Sequence, residues 1–238
     1  MRQIIFKIVN AFLFLSVSAF GQTTDFSVTD LDDAYMNEIK FENTELSNRI
    51  KSFPLAVQNK NKEAGQAIRD KNYERAVLVA MQLDSIYPEN PDIKNFKGKM
   101  LIKMGNSSGA IKSFDEAIKL NPKNKWFYIN KASVEADNNQ KEQALQTIEK
   151  LNSLFPKWSI GYNFKAALLH ALGKNKEALT AYGLAMGYEP LSALIATNRG
   201  DLYLLLKDTE KAIKDYKKAL AIQPGYTRAK LKLDSISN

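Results

Sequence analysis

Few side chains in this sequence could carry out catalysis. His170 is the only histidine and cysteine is absent, so the thiolate and imidazole ligand sets of zinc sites are unavailable. A Ser-His-Asp arrangement would have to use His170 without any supporting motif. The adjacent acids Asp32 and Asp33 are typical of a solvated helix face, and the stretch 105–109 lacks the preceding strand of a phosphate-binding loop. The sequence therefore predicts a protein that is not an enzyme and holds neither a metal nor a cofactor.

The prolines reveal an internal repeat that must position whatever side chains act. Five of them follow one another at intervals of 34 residues, and an alanine stands twelve residues before each. A fixed period of this length is the pattern of a repeat architecture. We place the repeats at 57–90, 91–124, 125–158, 159–192 and 193–226. The prolines are Pro88, Pro122, Pro156, Pro190 and Pro224, and the alanines are Ala76, Ala110, Ala144, Ala178 and Ala212.

Each repeat is predicted to contain two helices. Apolar residues recur at spacings of three and four, and no stretch shows the alternation of a half-buried strand. Gly105 and Gly173 stand where the first helix of their repeats should end, because glycine accepts the left-handed conformation of a helix C-terminus. The proline then prevents the second helix from continuing.

This pattern resembles the tetratricopeptide repeat (TPR) family, which has small residues at the eighth and twentieth positions and proline at the thirty-second. The departures are Glu135, where a large apolar residue is usual, and Ala80, so repeats one and three are expected to pack less tightly. The resemblance covers 57–226 and implies an all-α fold, a right-handed α-solenoid of five helix-turn-helix repeats with N- and C-terminal capping helices. The eighth positions are Ala64, Gly98, Ala132, Ala166 and Gly200.

The segments outside the repeats suggest an exported protein. Residues 1–21 have a basic start, an apolar stretch and small residues before Gln22, which is typical of a cleaved signal peptide. We therefore expect a periplasmic or secreted chain that is not a Cys-anchored lipoprotein and has no transmembrane segment after cleavage. Residues 22–56 are expected to form an acidic arm and a capping helix, and 227–238 a second capping helix. Because the repeats are basic, the arm is predicted to lie partly in their groove and to compete with a ligand.

The resemblance also implies a concave groove lined by the first helices. An asparagine stands at the fifth or sixth position of every repeat, and a row of amides suits the backbone of an extended peptide. An equally good interpretation is that asparagine is simply common in this chain. The groove positions carried over from the family are Asn61, Arg69, Asn95, Phe96, Lys99, Lys103, Trp126, Ile129, Asn130, Asn163, Phe164, His170, Asn198 and Asp201.

These observations favour an exported, non-catalytic scaffold or adaptor that binds a peptide or protein partner in its groove. Two alternatives stay open. One is a structural envelope protein that assembles into a homo-oligomer, and the other is a protein that binds an anionic polymer through the basic repeats. Nucleic acid is not expected as a partner, because no nucleic-acid motif accompanies the basic charge.

Overall fold

The structure, a computed structural model, describes residues 31–237. These residues form twelve helices and contain no strand, which confirms the all-α prediction for this part of the chain. They divide into two compact units, 39–154 and 31–38 with 155–237. No helix among them is both long enough and apolar enough to cross a membrane. The predicted signal peptide at 1–21 and the arm residues 22–30 lie outside the described residues.

Unit 1 contains both helices of each of the predicted repeats one to three, and most of the N-terminal helix. Each helix packs on the next along the chain from α2 to α7. The helices are α1 (Asp33–Lys51), whose residues 33–38 belong to unit 2, α2 (Leu55–Arg69), α3 (Tyr73–Ile86), α4 (Pro91–Lys103), α5 (Ser107–Leu120), α6 (Lys125–Asp137) and α7 (Lys141–Leu154).

Unit 2 contains repeats four and five and the C-terminal helix. Here too each helix packs on its neighbour in sequence, and the last one also contacts α10. The helices are α8 (Ser159–Ala171), α9 (Asn175–Tyr188), α10 (Ala193–Leu205), α11 (Thr209–Ile222) and α12 (Thr227–Ser237).

The first helix of every repeat ends in the same way. The second residue after the helix has a positive φ, and the amide that follows it donates back into the last turn, as Asn106 N–H does to Leu101 O at 2.8 Å. The predicted helix ends at Gly105 and Gly173 are confirmed. Residues other than glycine take this conformation in the other three repeats. The five left-handed residues are Lys71, Gly105, Asn139, Gly173 and Lys207.

Small residues at the eighth position let the paired helices approach closely. A Cβ atom built on Gly98 of α4 would lie 2.6 Å from Cε1 of Phe114 in α5, and one on Gly200 of α10 would lie 2.8 Å from Cε1 of Tyr216 in α11. Both rings are fully buried. The aromatic ring therefore occupies the space that a larger eighth residue would need.

Glu135 replaces an apolar residue in repeat three and is buried there. Its carboxylate accepts a hydrogen bond from Thr147 Oγ1 at 2.7 Å and lies 3.5 Å from Lys131 Nζ. Burial nevertheless raises its pKa above the ordinary value, and the two partners oppose that effect only in part. The repeat therefore accommodates this departure with a polar pair instead of apolar contact.

Candidate functional site

Helix α1 lies against the first helices of the repeats in each unit. In each unit we call the surface of the first helices beside α1 the first-helix face; it is formed by α2, α4 and α6 in unit 1 and by α8 and α10 in unit 2. The helix predicted within 22–56 is thus present as α1. Its C-terminal end lies near repeat one, because Leu46 and Ile50 line a cleft together with Val57 and Leu83.

In unit 2, one carboxylate caps two helices at once. Asp32 Oδ1 accepts the N–H of Tyr35 at 3.0 Å, which caps α1. Its Oδ2 accepts the N–H of Leu194 at 2.8 Å and the hydroxyl of Ser192 at 2.5 Å, at the start of α10. Asp32 is 1% exposed, so the solvated position expected from the sequence is wrong. The positive ends of two helix dipoles share its negative charge.

A buried hydrogen-bonded row follows one turn further along α1. Asn163 Nδ2 donates to the hydroxyl oxygen of Tyr35 at 2.7 Å, and Asn163 Oδ1 accepts from Asn198 Nδ2 at 3.0 Å. None of the three side chains is more than 2% exposed. Burial raises the pKa of Tyr35 well above its usual value near 10, so its hydroxyl stays neutral. The two asparagines therefore hold a residue of α1 in this structure.

Glu38 makes the next contact within unit 2. Its Oε2 accepts a hydrogen bond from Trp158 Nε1 at 3.2 Å. Trp158 is the residue that precedes α8, and it is buried. The side chain of α1 thus meets the N-terminus of the first helix of repeat four.

In unit 1 the contacts of α1 are also polar. Glu42 Oε1 accepts from Nδ2 of Asn124, the residue that caps α6, at 3.0 Å. Arg49 forms two hydrogen bonds with Asp92 in the first turn of α4, at 2.7 and 3.0 Å, and a third with Glu42. Planar two-point pairing of this kind is stronger and more directional than a single ion pair.

Two neighbouring clefts lie beside these contacts in unit 1. Asn130 and Trp126 line the first of them, where Asn130 Nδ2 donates to Asn95 Oδ1 at 2.8 Å. Lys99 lines both clefts and is 4% exposed. Burial lowers its pKa to about 8, although the nearby carboxylates of Glu42 and Asp92 favour its charged form.

The charged contacts of α1 follow one rule. In unit 2, Asp32 and Glu38 lie at the N-termini of α10 and α8; in unit 1, Glu42 and Arg49 lie at those of α6 and α4. An acid near the positive end of a helix dipole is favourable by about 0.3 to 1 kcal/mol, and Arg49 acts instead on an acid of the first turn. The first-helix face is therefore suited to bind an acidic helix.

The residues carried over from the family lie in several different environments. Asn61 and Lys99 line the clefts of unit 1, whereas Phe96 packs against the apolar core of the first two repeats. Ile129 and Phe164 are buried. The others are partnered within the chain or placed at the surface.

The other predicted groove residues are partnered within the chain or lie at the surface. Arg69 is exposed and bonds Gln66, and Lys103 lies over the ring of Tyr73. His170 Nδ1 is hydrogen-bonded to Asn175 Oδ1 at 2.8 Å. Asp201 accepts hydrogen bonds from Tyr216 of α11 and Arg228 of α12, and it lies 3.6 Å from Lys232 Nζ. The structure brings together Asn95 with Asn130 and Asn163 with Asn198.

The sequence predicted that the acidic arm lies partly in the groove, but it did not identify which residues at α1 make the contacts or which residues of the repeats receive them. The residue just before each first helix could have been considered a contact site, because a capping side chain is polar and its direction is fixed by the helix start. These unpredicted residues are Asp32, Tyr35, Glu38, Glu42, Arg49, Asp92, Asn124, Trp158, Ser192 and Leu194. Among residues 31–237, no three His, Asp or Glu side chains come together as a metal site requires.

Family models of the tetratricopeptide repeat match residues 101–168 and 193–226, so the chain carries tetratricopeptide repeats there. The Hsp70-Hsp90 organizing protein of Triticum aestivum is 28% identical over 117 residues, 49% of this chain and 20% of that protein. The mitochondrial import receptor subunit TOM70 of Homo sapiens is 26% identical over 145 residues, 58% of this chain and 24% of that protein. The matches thus span about a quarter or less of these relatives.

Solved structures confirm the fold as a tetratricopeptide α-solenoid. MamA has a TM-score of 0.59 at 18% identity, and the match covers 69% of this chain and 96% of that one. YrrB, described as a TPR protein with an unusual peptide-binding site, has a TM-score of 0.53 at 20% identity, covering 70% and 86% of the two chains.

Proposed function

We propose that this protein is an exported, non-catalytic adaptor that binds a segment of another protein on its first-helix face. One observation carries the proposal: in each unit, polar side chains at α1 contact the starts of the first helices, Asp92 and Asn124 in unit 1 and Trp158 and Leu194 in unit 2. A face that holds one protein segment through specific hydrogen bonds has the chemistry to hold another.

Two further observations support binding as the activity. The names of the relatives describe an organizing protein and an import receptor subunit, and YrrB is described by its peptide-binding site. Export rests on the predicted signal peptide at 1–21 and is part of the proposal. The clefts beside Lys99 offer a place where a partner segment could make contact while α1 is still bound.

Site-specific photocrosslinking in the cells that produce the protein tests this proposal. A benzoylphenylalanine replaces Asn61 or Trp126, which line the clefts of unit 1. Matched controls replace Lys112 or Gln146, which are exposed on the second helices α5 and α7. We expect a partner to be captured from the first pair of positions and not from the second.

Two crosslinking results would contradict the proposal. Capture only from Lys112 or Gln146 would place the partner on the opposite side of the repeats and would refute binding at the first-helix face. Self-crosslinks alone, from every position, would support a self-assembling structural protein instead.

A further inference from the structure

The contacts of α1 in unit 2 describe the kind of ligand that the face recognises. We infer that the face formed by α8 and α10 takes a partner helix with an aspartate at its N-cap and a tyrosine three residues later, and that α1 occupies this position until such a helix displaces it. This inference rests on the proposed binding of a protein segment at the first-helix face, and it names the chemistry of that segment.

The shared cap selects a helix over an extended peptide. One oxygen of Asp32 binds the amide of Tyr35 within its own first turn, while the other binds the start of α10. A segment that begins a helix at this point presents both oxygens in that way, because the first amides of a helix have no partner in the helix itself and one of them fixes the carboxylate. An asparagine has one acceptor oxygen and cannot supply the two separate oxygens that bind Tyr35 and Leu194 in this structure.

The row of amides selects tyrosine over phenylalanine. Asn163 donates to the hydroxyl oxygen of Tyr35 and accepts from Asn198, all within a region excluded from water. A phenylalanine would leave the Asn163 amide buried without an acceptor, which is the usual origin of strong discrimination against a missing hydroxyl group.

The resident helix is held in a way that allows exchange. Within α1 only Tyr35 and Ile39 are buried, and the large side chain of Phe41 is 67% exposed. A helix of 19 residues with this polar composition is marginal by itself in water. Because α1 is attached to the chain, its effective concentration at the face is in the millimolar range. A free helix therefore competes only when the contacts of α1 with the face are weakened, or when the free helix binds the face more tightly than α1 does.

The test uses the full chain and a labelled peptide of residues 31–51, with binding followed by fluorescence anisotropy. The chain is studied as wild type, as Asp32→Ala, and as the control Asp33→Ala, which removes an exposed acid from the same turn. We expect the Asp32→Ala chain to bind the native peptide at least about tenfold more tightly than the other two. A Tyr35→Phe peptide should lose about tenfold on the Asp32→Ala chain.

Several outcomes would overturn the inference. Equal binding by all three chains would show that α1 is not a competitor, and equal binding of the two peptides would show that the amide row does not read the tyrosine. If Asp32→Ala does not fold, Tyr35→Ala replaces it with the same expectation. A concentration-dependent doubling of mass in the wild type would assign the face to α1 of a second copy.

This experiment is independent of the crosslinking test. A failed peptide experiment with capture from Asn61 or Trp126 would leave the adaptor function standing and remove the helix ligand. Tight peptide binding together with capture only from the second helices would lead to the opposite conclusion. The helix ligand would stand, but the first-helix face would not be the site where the partner protein binds.

Discussion

Replacing Gly98 by alanine should destabilise unit 1, because the new methyl group meets the ring of Phe114. The added Cβ would lie 2.6 Å from Cε1 and 2.9 Å from two further ring carbons, and that ring is fully buried. Overpacking of a well-packed core costs about 1 to 3 kcal/mol, and alanine returns up to about 1 kcal/mol of helix propensity. Since the ring has no free space to move into, we expect a net loss of about 1 to 2 kcal/mol.

A matched variant isolates the packing effect. Gly183 also lies inside a helix, α9, but nothing lies within 4 Å of a Cβ built there. Gly183→Ala should therefore stabilise the chain by about 0.5 to 1 kcal/mol through helix propensity alone. The two changes have opposite expected signs although the chemical substitution is the same.

Urea unfolding followed by circular dichroism measures both variants, and the midpoints are compared because a repeat protein need not unfold in a single step. Phe114→Leu is then added to Gly98→Ala. The double variant should lose less than the sum of the single losses, since the smaller side chain relieves the clash. If Gly98→Ala is as stable as Gly183→Ala, the close approach of α4 and α5 is not what holds this repeat together.

Three further predictions concern the site and its flanks. In a double-mutant cycle of Tyr35→Phe and Asn163→Ala, denaturation should reveal a coupling energy of about 1 kcal/mol, and strict additivity would deny the hydrogen bond. Burial lowers the pKa of Lys99 from 10.5 to about 8, so the unfolded state binds the proton more tightly. Lys99→Met should therefore raise the free energy of unfolding by about 1 to 3 kcal/mol at pH 7. This stabilisation should shrink as pH rises from 8 to 10.5, and a stabilisation that does not vary with pH would contradict the prediction. Asp201→Ala leaves the largely buried Arg228 without its carboxylate partner and should cost about 3 kcal/mol in thermal or urea unfolding, whereas an unchanged midpoint would show that α12 does not depend on this pair.

Much of the fold could be predicted from the sequence because the constraints repeat. Proline and small residues recur every 34 positions, so each helix boundary is indicated several times over. Residue type does not predict the left-handed conformation of Lys71, Asn139 and Lys207. It follows only from their position, which is the same within the repeat as that of Gly105 and Gly173.

The partners of the asparagines were harder to predict. Asn95 and Asn130 are 35 residues apart, as are Asn163 and Asn198, so each pair joins the fifth position of one repeat to the sixth of the next. Periodicity places these side chains on one surface but does not show whether they face each other or a ligand. In the structure they face each other, and in unit 2 they also hold Tyr35.

The position of α1 was open for a similar reason. Its apolar spacing predicts a helix with one buried side, but the spacing is equally compatible with a cap on repeat one and with the first-helix face. The capping role of Asp32 depends on where the start of α10 lies in space, which no local pattern contains.

Hydrogen exchange of the full chain, read by mass spectrometry, tests the central claim most directly. We expect slow exchange in α1 of the wild type, and a selective increase in α1 and the first turn of α10 when Asp32 is changed to alanine, with α3 and α5 unchanged. Exchange of α1 within seconds in the wild type would show that the helix is not held on the first-helix face.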